Sequence, residues 1–167
     1  MKKGLLIFCT FALLQAAIFG ESYIKVSSDE LSFKVPAGWN ITYNDDNREL
    51  LFIINSPTYD NDEFVETISV DADFLEPSER FTSKSYLDAL LKDLKNRHKD
   101  SYELIDRNKD MAAAQYIHTE INGGTDVVQF IRIIIKSNVA YIICATALPE
   151  TIKSFEDDFN EIMLSFK

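Results

Sequence analysis

Two apolar runs, "VVQFIRIIIK" (127–136) and "VAYIICATAL" (139–148), are separated only by Ser137 and Asn138. Apolar residues on both faces of a strand usually mark a parallel sheet covered on two sides. A parallel pair, however, needs a crossover of about a dozen residues or more, which two residues cannot supply. The runs must pair as an antiparallel hairpin, and the rest of the chain must cover both of its faces. With 167 residues, 46% of them hydrophobic, the chain can fill one core and is too short for two.

Two segments have the pattern of such covers. Over Ser85–Arg97, Leu87, Leu90, Leu91 and Leu94 recur at helical spacing, opposite Asp88, Lys92, Asp93, Lys95 and Asn96. From Glu150, Ile152, Phe155, Phe159, Ile162, Met163 and Phe166 form a broad stripe against Glu156, Asp157, Asp158 and Glu161. Strand patterns fill the remainder. Ser22–Val26 and Leu31–Val35 alternate, and Pro36-Ala37-Gly38 turns the chain into a third strand. There Trp39, the single tryptophan, shares a face with Ile41 and Tyr43 and is expected to anchor the core. Leu50–Ser56 is apolar on both faces and belongs deep in a sheet, whereas alternating "FVETISVDAD" belongs nearer an edge. Tyr102–Asp106, Ala112–Ile121 and Asp126–Lys136 follow, the last two joined at "NGGT". The predicted class is α+β: an antiparallel sheet covered by helices on both faces, an α/β/α sandwich.

The first twenty residues stand apart from this domain. Lys2 and Lys3 precede an apolar run, Gly4–Phe19, interrupted only by Thr10 and Gln15, the charged and apolar regions of an export signal. Cleavage is expected after Gly20, leaving residues 21–167 as one periplasmic or secreted domain; an uncleaved anchor is the alternative. The run is shorter than the roughly 20 residues of a membrane-spanning helix, and Cys9 lies inside it, where lipidation is not expected. Removal of residues 1–20 takes two lysines and no acids, leaving 15 basic against 27 acidic residues, a charge of −12. Such a surface repels nucleic acid and anionic membranes. Cys144 is then the only thiol, so no intramolecular disulfide forms.

In order, "F-x-V-P-x-G-W" (Phe33, Val35, Pro36, Gly38, Trp39), an apolar strand ending at Ser56-Pro57, a Leu-rich helix, a meander, and "F-x-x-x-F-x-x-I-x-x-S-F" (Phe155, Phe159, Ile162, Phe166) resemble the PsbP-like domains. Within them the chain is most similar to exported bacterial proteins of the DcrB type, and the fold also occurs in a Ran-binding factor. The resemblance spans about Leu31 to Phe166 and implies a non-enzymatic binding or accessory module of the bacterial cell envelope, acting on another protein. Many DcrB-type members look lipid-anchored, and this chain departs from them in lacking an acylatable cysteine.

The residues offer little catalytic chemistry. His98 falls at the end of the Leu-rich helix, where a cation suits the helix dipole. His118 shares the polar side of a strand with Tyr116 and Glu120, expected as an exposed patch; a small hydrolase-like enzyme using His118 and Glu120 is the alternative function. Mid-strand Cys144 is expected to be a buried, inert small hydrophobe. "YDNDEF" begins like a calcium loop, but Phe64, Val65 and Asp71 stand where a ligand, glycine and glutamate are needed. A shared oxygen site is also disfavoured, because successive loops of a meander leave at opposite ends of the sheet. No metal, cofactor or catalytic residue is assigned. The acids of "NDDNRE" and "YDNDEF" (Asp45, Asp46, Glu49, Asp60, Asp62 and Glu63) are expected to contact an envelope protein with a basic surface.

Overall fold

The computed structural model describes residues 23–27, 31–43, 50–58, 64–76, 78–119, 121 and 123–167. The chain runs through β1 (Tyr23–Ser27), β2 (Ser32–Pro36), β3 (Asn40–Tyr43), β4 (Leu50–Asn55), β5 (Thr67–Phe74), α1 (Ser83–His98), β6 (Glu103–Asn108), β7 (Met111–His118), β8 (Thr125–Lys136), β9 (Val139–Ala147) and α2 (Ile152–Ser165). β1 and β2 form a two-stranded sheet. The others form an antiparallel sheet of order β3-β4-β5-β9-β8-β7-β6.

The two apolar runs are β8 and β9, paired from Val128↔Ala147 to Lys136↔Val139. Ser137 and Asn138 both take positive φ, 49° and 63°, the turn that matches the twist of a two-residue hairpin. Alternate residues of β8 and β9 enter two different cores. Phe130, Ile134, Tyr141, Ile143 and Ala145 gather with Ile68 and Val70 of β5 and with Phe159, Ile162 and Met163 of α2. Ile131, Ile133, Ile142 and Cys144 gather instead with Leu87, Leu91 and Leu94 of α1 and Tyr116 of β7.

Helix ends are set locally. Thr82 caps α1, its Oγ1 accepting from the Ser85 amide (3.2 Å) while Ser85 Oγ accepts from the Thr82 amide (2.9 Å). Lys95, Arg97 and His98 place basic groups at its C-terminal end. The β1–β2 hairpin would be marginal alone, but Phe33 stacks on Phe52 and Phe166 at 5.0 and 4.5 Å. In addition, Ser32 and Lys167 exchange main-chain hydrogen bonds.

Two expectations need correction. Trp39 does not drop fully into the core: it is half-buried and packs edge-on against Phe155 and Phe159, both at 6.1 Å. The tight turn at Gly38 (φ 98°) brings it against the Phe155–Phe159 stripe of α2, at the margin of the core, while Tyr43, on the same face, is 60% exposed. Nor is β5 near an edge; it lies between β4 and β9. Its polar face is tolerated there because Tyr86 of α1 donates to Asp73 (2.6 Å) and because Ser69 and Asp71 line a cavity.

Candidate functional site

That cavity, about 260 Å³, lies between the C-terminal half of α1 and the sheet. β5 supplies Ser69 and Asp71, β7 supplies Tyr116 and His118, and β9 supplies Cys144; Arg97 and His98 come from the last turn of α1. The volume falls just below the roughly 300–1,000 Å³ of most ligand pockets, so it suits a small polar molecule or a few waters.

Here the sequence reading of His118 is overturned in part. Tyr116 is not on an exposed patch but 2% exposed, and on the other side of β7 the apolar Ile117 is 45% exposed. Alternation separated the two faces of β7 correctly; which face α1 would cover was not readable from it. Tyr116 donates to Gln129 Oε1 (2.6 Å), and Gln129 donates to Thr146 (2.9 Å). His98 packs on the Tyr116 ring at 4.2 Å and His118 stacks on it at 6.0 Å. His118 Nδ1 is buried without a hydrogen-bond partner among the described residues. Glu120, its expected partner, lies outside them.

Burial disfavours an ionised nucleophile at Cys144 or Tyr116. Burial, with the nearby Asp71 charge, pushes the Cys144 thiol up to about 12, so it stays protonated at neutral pH. Burial likewise raises the Tyr116 phenol. Ser69 already donates to Asp71 (3.3 Å). Among the described residues no three His, Cys, Asp or Glu side chains are grouped to hold a metal ion. What the pocket offers is hydrogen bonding, with His118 Nδ1 as its unsatisfied atom.

His98 makes this pocket sensitive to pH. Burial, chiefly, and the Arg97 and His118 charges hold its pKa below the usual value, against the opposing effects of a hydrogen bond to the Ile117 main chain and of Asp93. A histidine whose folded-state pKa is lowered contributes stability that is complete above its unfolded pKa, about 6.5, and is lost as pH falls below it. Acidification from about pH 7 to about pH 5 should therefore lower Tm more in the parent than in His98→Phe, which keeps a ring on Tyr116 but cannot titrate. Parallel pH–Tm curves from thermal melts would refute this role for His98.

The six acids assigned to partner contact, Asp45, Asp46, Glu49, Asp60, Asp62 and Glu63, lie outside the described residues, as does the N-terminal segment. In the sequence, 44–49 immediately precedes β4 and 59–63 follows it after Ser56, Pro57 and Thr58. Among the described residues no helix is long and apolar enough to cross a membrane.

No family model matches the chain, and no curated protein matches it in sequence. Solved structures do match its fold. Cyanobacterial PsbP (CyanoP) from Synechocystis is 11% identical with a TM-score of 0.57, the match covering 93% of this chain and 98% of CyanoP. The Ran-binding protein Mog1p of Saccharomyces cerevisiae is 15% identical with a TM-score of 0.55, covering 89% and 96%. LpqN, involved in cell envelope biogenesis of Mycobacterium tuberculosis, is 13% identical with a TM-score of 0.50, covering 89% and 90%. The chain thus has a PsbP-like fold, α+β with a large antiparallel sheet and two helices, shared with a Ran-binding protein.

Proposed function

We propose that this is an exported, non-enzymatic binding or accessory protein of the bacterial cell envelope, acting through contacts with another protein. The observation that carries this reading is the near full-length likeness to a Ran-binding protein and to a protein of cell envelope biogenesis. Fold alone does not determine function. The pocket chemistry points the same way, because its thiol and phenol hold their protons. We also infer that α1 and α2 cover opposite faces of the sheet, since successive residues of β8 and β9 alternate between their two cores.

In this reading residues 1–20 are a cleaved signal and residues 21–167 work in the periplasm or outside the cell. Asp45, Asp46, Glu49, Asp60, Asp62 and Glu63 then face a basic partner, with no part for nucleic acid. Crosslinking of a tagged protein in cells, followed by mass spectrometry, is expected to capture one recurrent envelope protein, and changing the six acids to Asn and Gln should remove it. Recovery of uncrosslinked monomer alone would refute the accessory role; undiminished capture by the variant would refute the acidic surface. Mature protein beginning at Glu21 would exclude a retained membrane tether.

A further inference from the structure

On this acidic chain, Lys25 of β1 and Lys34 of β2 are direct cross-strand partners. Both are exposed, and neither ammonium group has an ion pair or hydrogen bond among the described residues, although the Lys34 main-chain amide donates to Ser165 Oγ (2.8 Å). Arg97, Arg107 and Arg132, by contrast, each meet an aspartate. Like charges directly opposite each other in an antiparallel pair are destabilising. A hairpin that is marginal by itself thus carries a repulsive pair on its outer face, with 27 acidic residues elsewhere in the chain.

The lysines border a surface concavity of about 550 Å³ between the hairpin and the C-terminal end of α2. Lys167 and Ser165 also line it, and Leu164, 58% exposed, gives it an apolar wall. Its one acidic lining residue, Glu161, already accepts a hydrogen bond from Tyr23 (2.7 Å). The groove is therefore locally cationic with an apolar side, the reverse of the chain's overall charge.

We propose that this groove docks an acidic segment of a protein partner, its carboxylates against Lys25 and Lys34 and an apolar side chain against Leu164. Charge complementarity selects the sign, since only an anionic occupant relieves the lysine repulsion. The open shape and exposed ammonium groups suit an extended chain better than a small anion, which calls for a converging set of buried donors. A bilayer rich in anionic lipid would face the whole acidic chain and be repelled. The proposal rests on the binding-module reading only in making the occupant a protein, and it adds a surface of opposite sign to the acidic one.

The test is fluorescence anisotropy of a labelled peptide with three glutamates on each side of a leucine, titrated with purified protein. Binding is expected, weakened at about 1 M salt, where the screening length falls to about 3 Å. Lys25→Glu/Lys34→Glu should weaken it about tenfold, whereas Lys92→Glu/Lys95→Glu, the same charge change on α1, should not. Lys25→Glu alone turns the repulsive pair into an attractive one, so it should fold at least as stably while still losing affinity. No binding, or equal loss in the α1 control, overturns the proposal and leaves the lysines as guards of the open β1 edge. Lysine-dependent co-sedimentation with phosphatidylglycerol vesicles but no peptide binding overturns it in favour of a lipid surface. If the crosslinked envelope partner is still captured by Lys25→Glu/Lys34→Glu, this groove is refuted while the binding-module reading stands.

Discussion

Phe159→Ala should destabilise the domain by about 3–5 kcal/mol, the range for deleting a large aromatic from a core. Phe159 has no exposed surface and meets aromatic neighbours from three directions. It stacks on Phe155 one turn earlier in α2 at 6.0 Å, meets Trp39 edge-on at 6.1 Å, and meets Phe130 of β8 at 6.4 Å. The cavity would open where the Gly38 turn, the sheet and α2 converge, and β8 and β9 are too firmly paired to collapse into it. For a domain of this size the melting temperature should fall by roughly 10 °C. Urea and thermal denaturation read this directly; a variant melting within about 2 °C of the parent would show that α2 is not the main cover of this core.

Phe159 was legible from its place in the α2 stripe, as was the β8–β9 hairpin from the two residues between its strands. Such features depend on neighbours within a few residues, and periodicity reports them. What periodicity did not report was which side a cover would take. The Tyr116–His118 face of β7 looks the more polar of the two, yet it lies under α1, because the Tyr116 hydroxyl donates a hydrogen bond to Gln129 and its ring takes His98. Glu66 is a related case. The alternation of β5 puts it in line with Ile68 and Val70, and it is 2% exposed. What reconciles a carboxylate with that position is Thr151, 85 residues away at the start of α2, which donates to Oε1 at 2.5 Å, with Ser56 near Oε2 at 3.5 Å. The pocket itself draws on α1, β5, β7, β8 and β9, and no local pattern joins them.

Arg132 is the second large expected effect, and the hardest to anticipate from an apolar strand. It interrupts "VVQFIRIIIK" on the side of β8 that faces α2, with a side chain only 16% exposed. The last carbonyls of a helix have no partner within it and carry its negative pole. α2 has no basic residue in its own last turn. Arg132 supplies what is missing: Nη1 donates to the Met163 carbonyl and, at 3.4 Å, to that of Phe166, while Nε faces Asp110 at 3.5 Å. Arg132→Met keeps most of the stem but removes the donors and the charge, leaving buried carbonyls unmet at a cost of about 2–3 kcal/mol. Because Phe166 stacks on Phe33 and Lys167 bonds to Ser32, the β1–β2 hairpin should loosen with it, seen as faster amide exchange at Ser32 and Lys34. Arg132→Lys, with charge but no fork, should recover part of the loss. If the Met variant matches the parent in both melting and exchange, solvent satisfies the end of α2, and the arginine's place in the strand needs another cause.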